Sequence, residues 1–195
     1  MAVNVLANQF HILIDRGFAS GLPEGSIAAL NYAKSVNIIP ATVVSAALAT
    51  ALFPMLASLT ARGEWRKALS TVWRWIAVVT CLGLVPVVGL ILFRVPVVTL
   101  LFQRGQFDEQ AVAMTASVLS VLPGMIIITS VCTLLDRLLL AQRRLAILAV
   151  LSLSTIALKV LFNVVLVSWL DRGLVGLALA TVFSTGLVTL ARFWV

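Results

Sequence analysis

One long stretch, residues 25–56, mixes apolar and polar positions in an uncommon way. About 20 apolar residues suffice for a helix to cross the hydrocarbon core of a bilayer, so this stretch is long enough to cross. Pro40 separates its polar first half from a second half rich in Ala, Ser and Thr. The polar side chains of the first half are Asn31, Tyr32, Lys34, Ser35 and Asn37. Since intramembrane polar residues usually face a bundle interior or a wet cavity, the pattern predicts a bent helix lining a polar route through a membrane.

Five further apolar runs flank this stretch and predict one partial and four full crossings. The complete predicted set is about 1–16 (partial), 26–57, 69–93, 111–134, 145–167 and 174–193. Residues 2–16 are too short to cross alone and are interpreted as the second half of a helix, with Asp15 and Arg16 at its aqueous end. The amphipathic segment 93–110 turns at Gly105 and is predicted to lie at the membrane interface.

Composition places the chain in one class. Of its 195 residues, 62% are hydrophobic and 11% are charged, and the mean hydropathy is +1.13. Such values exclude an ordinary soluble domain, and long apolar runs do not fit a transmembrane barrel of short alternating strands. The fold class is therefore predicted to be all-α, a polytopic transmembrane bundle that forms a single lobe over residues 1–195.

Charge distribution predicts the orientation of the bundle. The net charge of +7 comes from bases in short loops between apolar runs, so no nucleic-acid partner is expected. Alternate ends of the predicted crossings divide the bases unequally. One side receives Arg62, Arg66, Lys67, Arg74, Arg137, Arg143, Arg144 and Arg192, and the other receives Arg16, Arg94, Arg104 and Arg172. The positive-inside rule assigns the first, more basic side to the cytoplasm.

Lys34 and Lys159 both fall inside predicted crossings. Lys34 shares a helix face with Asn31 and Ser35, which favours a cation in a cavity that is available to an anionic substrate. The alternative is a lysine that extends to the outer headgroups. Lys159 shares a face with Asn163 and forms either a second polar site or a purely structural contact with a neighbour or with helix-end carbonyls.

Other titratable residues predict little chemistry. Asp136 and Arg137 are expected to form a solvated pair near a helix end. Cys81 and Cys132 lie in apolar runs, where small buried side chains are expected. His11 is the only histidine, so neither a Ser-His-Asp grouping elsewhere nor a zinc site of several His and Cys is available. We therefore expect no enzyme activity, no cofactor and no metal.

Four strings are more specific. Residues 15–36 and 49–57 closely resemble the seventh and eighth helices of the lipid II flippase family MurJ (MviN). Residues 101–108, LFQRGQFD, resemble the loop between that family's ninth and tenth helices, and residues 173–181 resemble the start of its twelfth. The resemblance runs in order through essentially the whole chain. The family belongs to the multidrug/oligosaccharidyl-lipid/polysaccharide exporter superfamily, whose members have two six-helix lobes.

The resemblance implies a multi-pass protein of the bacterial inner membrane. It would move lipid II, or another polyprenyl-pyrophosphate lipid, from the cytoplasmic to the outer leaflet by alternating access. Lys34 would be the main cation for the substrate, helped by Asn31, Tyr32 and Ser35. Ser35 stands where the family generally has an arginine, so Lys34 would replace that cation. Lys34 lacks the bidentate geometry of arginine.

The resemblance also bears on a second polar site. Some family members look to bind sodium between the seventh, eleventh and twelfth helices, and the matching positions here are Lys159, Asn163 and Thr181. A lysine ammonium at that place would replace a bound cation, so the protein is not expected to use sodium there.

The resemblance covers only the second lobe of the family, so the chain is interpreted as a fragment. Its expected partners are membrane lipids and either the missing N-terminal lobe or another membrane chain. Two alternatives stay open. One is an exporter of another polyprenyl-linked saccharide or of a drug, and the other is a lipid-binding membrane scaffold that does not transport.

Overall fold

The computed structural model describes residues 2–105, 107–142 and 144–194 and shows an all-α fold, as the sequence predicts. The chain forms eight α-helices in these residues, and α7 continues as a π-helical segment, Val164–Trp169. The helices are α1 (Ala2–Ala19), α2 (Ser26–Ala61), α3 (Trp65–Leu92), α4 (Arg94–Phe102), α5 (Glu109–Val118), α6 (Gly124–Ala141), α7 (Leu145–Asn163) and α8 (Gly173–Ala191). A short 3-10 turn, Arg192–Trp194, follows α8.

Among the residues that the structure describes, four helical segments are long and apolar enough to cross a membrane. They are Ser26–Val44, Trp65–Leu92, Leu145–Trp169 and Gly173–Trp194. Their outer faces expose large apolar side chains such as Val85 and Leu153, and only 17% of the α3 window is buried within the fold. Water would make such faces unfavourable, whereas lipid tails match them. The chain is a multi-pass membrane protein.

The helices lie where the sequence predicts apolar segments, with one break. The predicted crossing 111–134 consists of two helices, α5 and α6, joined by a turn over 119–123. Pro123, which cannot donate a backbone hydrogen bond, directly precedes α6 and marks that break. By contrast, α2 continues through Pro40 and Pro54 as one helix. The exact crossing boundaries stay predictions.

Three apolar cores hold the described part of the bundle together, and the two larger ones lie toward opposite ends. The first core joins the end of α1, the start of α2, α4, α5 and the start of α8, with Ala33, Val98 and Leu119 fully buried. The second core joins the latter half of α2 with α3 and α6 through Leu52, Val79 and similar residues. Between them, the middle of the bundle is more polar, and the candidate site lies there.

The LFQRGQFD segment builds the connection between α4 and α5. Gly105 has a φ of +61°, a left-handed conformation that favours glycine. Asp108 caps α5 by accepting a hydrogen bond from the Ala111 backbone N–H at 2.8 Å. The rings of Phe102 and Phe107 lie 4.8 and 5.1 Å from the Tyr32 ring, so the motif packs the loop onto the start of α2.

Candidate functional site

A carboxylate and two lysines from three helices meet inside the bundle. The Lys34 Nζ of α2 lies 2.6 Å from Asp15 Oδ2 of α1. The Lys159 Nζ of α7 lies 2.7 Å from Asp15 Oδ1. The side chains of Asp15 and Lys159 are 4% and 2% exposed, whereas that of Lys34 is 36% exposed. We call these three residues the ion cluster.

Local chain geometry explains how the ion cluster forms. The turn over 20–25 reverses the chain between α1 and α2, so Asp15 and Lys34 face each other across a helical hairpin. Helix α7 packs against α1 and places Lys159 on the other side of the carboxylate. The Lys159 ammonium also donates a hydrogen bond of 3.5 Å to the His11 backbone carbonyl, one turn before Asp15.

The ion cluster has an excess of one positive charge when all three groups are ionised. A buried carboxylate is stabilised only when it is paired, and Lys159 alone suffices to pair Asp15. Lys34 is the more exposed lysine and lines the adjoining cavity, so the excess charge is available there. The arrangement can therefore offer an ammonium group to an anionic ligand while Asp15 keeps a partner.

The prediction that Asp15 marks an aqueous helix end is wrong. Asp15 is 3% exposed and is the centre of the ion cluster. A carboxylate next to Arg16 and close to a turn looks like an ordinary topological charge, and its partners are 19 and 144 positions away in the sequence. The one useful indication was that two intramembrane lysines need a buried acid.

A cavity of about 670 Å³ adjoins the ion cluster. It lies among α1, α2, α6, α7 and α8 and is lined by side chains that are mostly polar. Its lining includes His11, Asp15, Lys34, Thr129, Cys132, Thr133, Asp136, Ser152, Thr155, Lys159, Thr181, Thr185 and Arg192. Among the residues that the structure describes, no three His, Cys, Asp or Glu side chains gather as a metal-binding group.

The predicted substrate residues separate into two groups. Lys34 and Asn31 line a smaller pocket of about 170 Å³ together with Asp15. Ser35 is exposed one residue further along α2, and its hydroxyl donates to the Asn31 carbonyl at 2.9 Å. Tyr32 points elsewhere, into a separate cavity of about 650 Å³ that Phe102 and Phe107 also line. The structure therefore places Lys34 with Asn31 and not with Tyr32.

The predicted second polar site merges with the first. Lys159 and Lys34 share Asp15, and Thr181 lines the same large cavity. Asn163 is fully buried one turn from Lys159, and neither of its amide atoms has a hydrogen-bond partner among the described residues. The interpretation of Lys34 as a lysine that extends to the headgroups is not what the structure shows, because its ammonium is bound to Asp15.

The structure also contains a second charge pair, Asp136 with Arg192, which the sequence does not predict. Asp136 was expected beside Arg137 in solvent, but its Oδ1 atom accepts a hydrogen bond of 2.8 Å from Arg192 Nε and its side chain lines the large cavity. The two residues are 56 positions apart, so only the packing of α6 against the end of α8 reveals the pair. Asp136 is therefore partly buried against Arg192, and its predicted pairing with Arg137 stays a prediction.

Solved structures with the same arrangement of helices show which fold class the chain has. The chain matches a MOP superfamily transporter from Pyrococcus furiosus over 98% of its length and 41% of that chain, with a TM-score of 0.78 and 19% identity. It matches an outward-facing multidrug resistance MATE family transporter of the same superfamily over 100% of its length and 42% of that chain, with a TM-score of 0.79 and 19% identity. The fold is that of one lobe of such a transporter.

Sequence relatives identify the protein family to which the chain belongs. The chain is 31% identical over 90% of its length to a probable lipid II flippase MurJ of Bdellovibrio bacteriovorus, of which it covers 33%. It is 30% identical over 95% of its length to a protein of the same description from Buchnera aphidicola, of which it covers 36%. The family model described as lipid II flippase MurJ matches residues 1–195. The chain belongs to this family and spans about a third of these relatives, which confirms the resemblance that its motifs show.

Proposed function

We propose that this chain is one lobe of a flippase that moves lipid II from the cytoplasmic to the outer leaflet of the bacterial inner membrane. Family membership over residues 1–195 supports the substrate. The observation that carries the proposal is the ion cluster, which supplies an extra ammonium at a cavity inside the membrane-spanning bundle. A lipid pyrophosphate is strongly anionic, and an unneutralised cation is what its passage through hydrocarbon requires.

The ion cluster provides a physical mechanism for reversible binding. In the structure, the Lys34 ammonium lies 2.6 Å from Asp15 Oδ2. An arriving phosphate competes for the Lys34 ammonium, and Lys159 keeps Asp15 paired when Lys34 leaves. Neither state leaves a buried carboxylate alone, so the exchange avoids the large penalty of an unpaired buried charge. Asn31, which shares a pocket with Lys34, would add an amide donor, and Ser35 a hydroxyl at the exposed face.

Alternating access would require a second lobe. Transporters of this kind rock one lobe against another around a central site. We propose that the partner is an N-terminal lobe or another membrane chain that contacts the exposed face of α2, where Ile38, Ile39 and Val43 stand uncovered. The exposed Asn31 and Ser35 continue this face toward the outer end, so a partner lobe would close over the substrate residues. Tyr32 would act from the other cavity by positioning this part of α2.

Lys34→Ala is expected to weaken binding of a polyprenyl-pyrophosphate lipid by about 10- to 100-fold, since one charge-assisted hydrogen bond contributes about 1.5–3 kcal/mol. Arg94→Ala, at the start of α4 and away from the cavity, is the matched control and is expected to change affinity by less than about twofold. The measurement is the dissociation constant of the purified protein in lipid nanodiscs. Lys34→Arg should bind well, because it keeps the cation.

Equal losses in Lys34→Ala and Arg94→Ala would contradict the assignment of Lys34 and indicate a nonspecific charge effect. Comparing the pyrophosphate lipid with a neutral polyprenol of the same length separates headgroup binding from tail binding. Only the pyrophosphate lipid is expected to distinguish Lys34→Ala from the unchanged protein.

Sodium does not fit the second polar site. The Lys159 ammonium already lies 2.7 Å from the Asp15 carboxylate that a cation would need. We therefore expect equal thermal stability in sodium chloride and in potassium chloride at the same ionic strength. A sodium-specific gain in melting temperature that Asn163→Ala abolishes would contradict this.

A further inference from the structure

Polar side chains line the large cavity from the ion cluster toward Arg192. We call this part of the cavity the lane. Three helices contribute one row of polar side chains each, at spacings that place each row on a single helix face. The rows are Thr129, Thr133 and Asp136 on α6, Ser152, Thr155 and Lys159 on α7, and Thr181, Thr185 and Arg192 at the end of α8. The lane has the ion cluster at one end and the Asp136–Arg192 pair at the other.

The hydroxyl groups of the lane are oriented as hydrogen-bond acceptors. Five of them donate their only hydrogen to the carbonyl one turn back in their own helix, at 2.6–3.0 Å. These five are Thr129, Thr133, Ser152, Thr155 and Thr181. Their oxygen lone pairs remain for a donor in the cavity. Water can donate to them.

The Arg192 end of the lane needs a complementary acceptor. The Arg192 side chain is 5% exposed, and its Nε atom donates to Asp136 at 2.8 Å. Its Nη1 atom is buried and has no hydrogen-bond partner among the described residues. A buried N–H group without a partner is costly, and an acceptor in the cavity would satisfy it. Water accepts from the arginine and donates to the hydroxyl oxygens, so one occupant satisfies both parts of the lane.

An apolar core bounds the lane on the side away from Arg192. Beyond the ion cluster, the first apolar core fills the space with Ala19, Leu119, Leu174 and Leu177, all buried. From Thr181 to Arg192, α8 advances 11 residues, or about 16 Å at 1.5 Å per residue. Arg192 lies after the last residue of α8, on the side that the positive-charge bias assigns to the cytoplasm. Access from that side therefore reaches about half-way across the hydrocarbon core.

We propose that the lane is an internal water pathway, entered at the Arg192 end, that connects the cytoplasmic aqueous phase with the buried ammonium of Lys159. Its occupants are water molecules held between the acceptor hydroxyls and the Arg192 N–H. Chains of polar groups at intramembrane ionisable residues mark ion and proton routes. The pathway would give the Asp15–Lys159 pair proton exchange with the cytoplasmic side of the membrane. This inference does not depend on which lipid the lobe transports.

Cysteine accessibility tests the pathway directly. In a background with Cys81→Ala and Cys132→Ala, Thr155→Cys places a thiol in the lane one turn from Lys159. Ala157→Cys is the matched control at nearly the same depth, on the exposed face of α7 between Leu153 and Leu161. A small cationic methanethiosulfonate reagent, which modifies thiols in contact with water, is applied to the cytoplasmic side of inverted membrane vesicles containing the protein.

We expect the Thr155→Cys thiol to react at least tenfold faster than the Ala157→Cys thiol, and only with the reagent on the cytoplasmic side. Adding Thr133→Leu, which fills the lane between the entrance and Thr155, should slow the Thr155→Cys reaction at least tenfold. Thr185→Leu provides a second plug if the first variant is absent from the membrane. The proposal would be overturned by equal reaction rates for the two thiols or by faster labelling from the opposite side. It would also be overturned if Thr133→Leu and Thr185→Leu fold but leave the Thr155→Cys reaction rate unchanged.

Discussion

Asp15→Asn is expected to lower the free energy of unfolding by about 3–5 kcal/mol, the usual cost of removing one partner from a buried ion pair. The variant leaves the Lys159 ammonium, whose side chain is 2% exposed, with no carboxylate at 2.7 Å. Lys34 adds to the effect, because its ammonium would face Lys159 without the intervening negative charge. The measurement is equilibrium unfolding of the purified protein in mild detergent.

Two further variants make this expectation specific. Asp171→Asn makes the same chemical change at an exposed turn position, where φ is +48° and asparagine is well tolerated, so stability should stay within about 0.5 kcal/mol. Combining Asp15→Asn with Lys159→Met removes both buried charges and should recover most of the lost stability. Equal stability of Asp15→Asn and Asp171→Asn would show that the ion cluster does not hold α1 against α7.

Gly176→Ala is expected to be the second most damaging change, with a loss of about 1–3 kcal/mol from overpacking. A Cβ atom on Gly176 would lie 3.0 Å from the Leu166 carbonyl oxygen and 3.0 Å from the Arg172 Cβ. The Leu166 carbonyl is fixed, because it accepts a hydrogen bond from the Arg172 backbone N–H at 3.0 Å. The Leu166 carbonyl and the Arg172 Cβ atom can move away from an added Cβ only if the connection between α7 and α8 moves as well.

Gly186→Ala provides the control in the same helix. Its added Cβ would meet only the Ile128 Cδ1 atom, at an ordinary distance of 3.7 Å. Alanine also has the higher helix propensity, so this variant should be as stable as the unchanged protein or slightly more so. Thermal unfolding of both variants in one detergent gives the comparison, and a Gly176→Ala protein as stable as Gly186→Ala would show that the hairpin is looser than the structure indicates.

Local sequence patterns predicted most of the fold. The apolar sequence runs of α3, α7 and α8 are long enough to cross a bilayer, so they predict these helices. The pair Pro123–Gly124 marks the break before α6. Pro40 was less informative. α2 stays helical through Pro40, because a proline within a membrane helix removes only one backbone bond and neighbouring helices stabilise the rest, and a bend at Pro40 stays a prediction.

The candidate site was only partly predictable. Lys34 and Lys159 stood out individually, because a cation inside an apolar run is costly and demands a partner. Their shared partner, Asp15, did not stand out, because the pairing depends on three helices that meet in space. The Asp136–Arg192 pair could not be predicted from the sequence for the same reason. Helical periodicity gives the face of a residue on its own helix, but not the helix that this face meets.

Tyr32 lies close to Lys34 in the sequence but lines a different cavity. It lies two residues before Lys34, and a spacing of two places side chains on nearly opposite faces of an α-helix. Its ring therefore packs with Phe102 and Phe107 instead of lining the cavity that contains Lys34. A polar residue near a site in sequence belongs to that site only when its helix face agrees.

Native mass spectrometry of the protein extracted from bacterial membranes with its bound lipids tests whether the ion cluster binds the substrate. We expect a polyprenyl-pyrophosphate lipid to stay bound to the protein, and we expect Lys34→Ala to lose this lipid while ordinary phospholipids remain. Recovery of the unchanged protein with phospholipids alone, or equal retention of the pyrophosphate lipid by Lys34→Ala, would contradict the claim that the ion cluster binds the substrate.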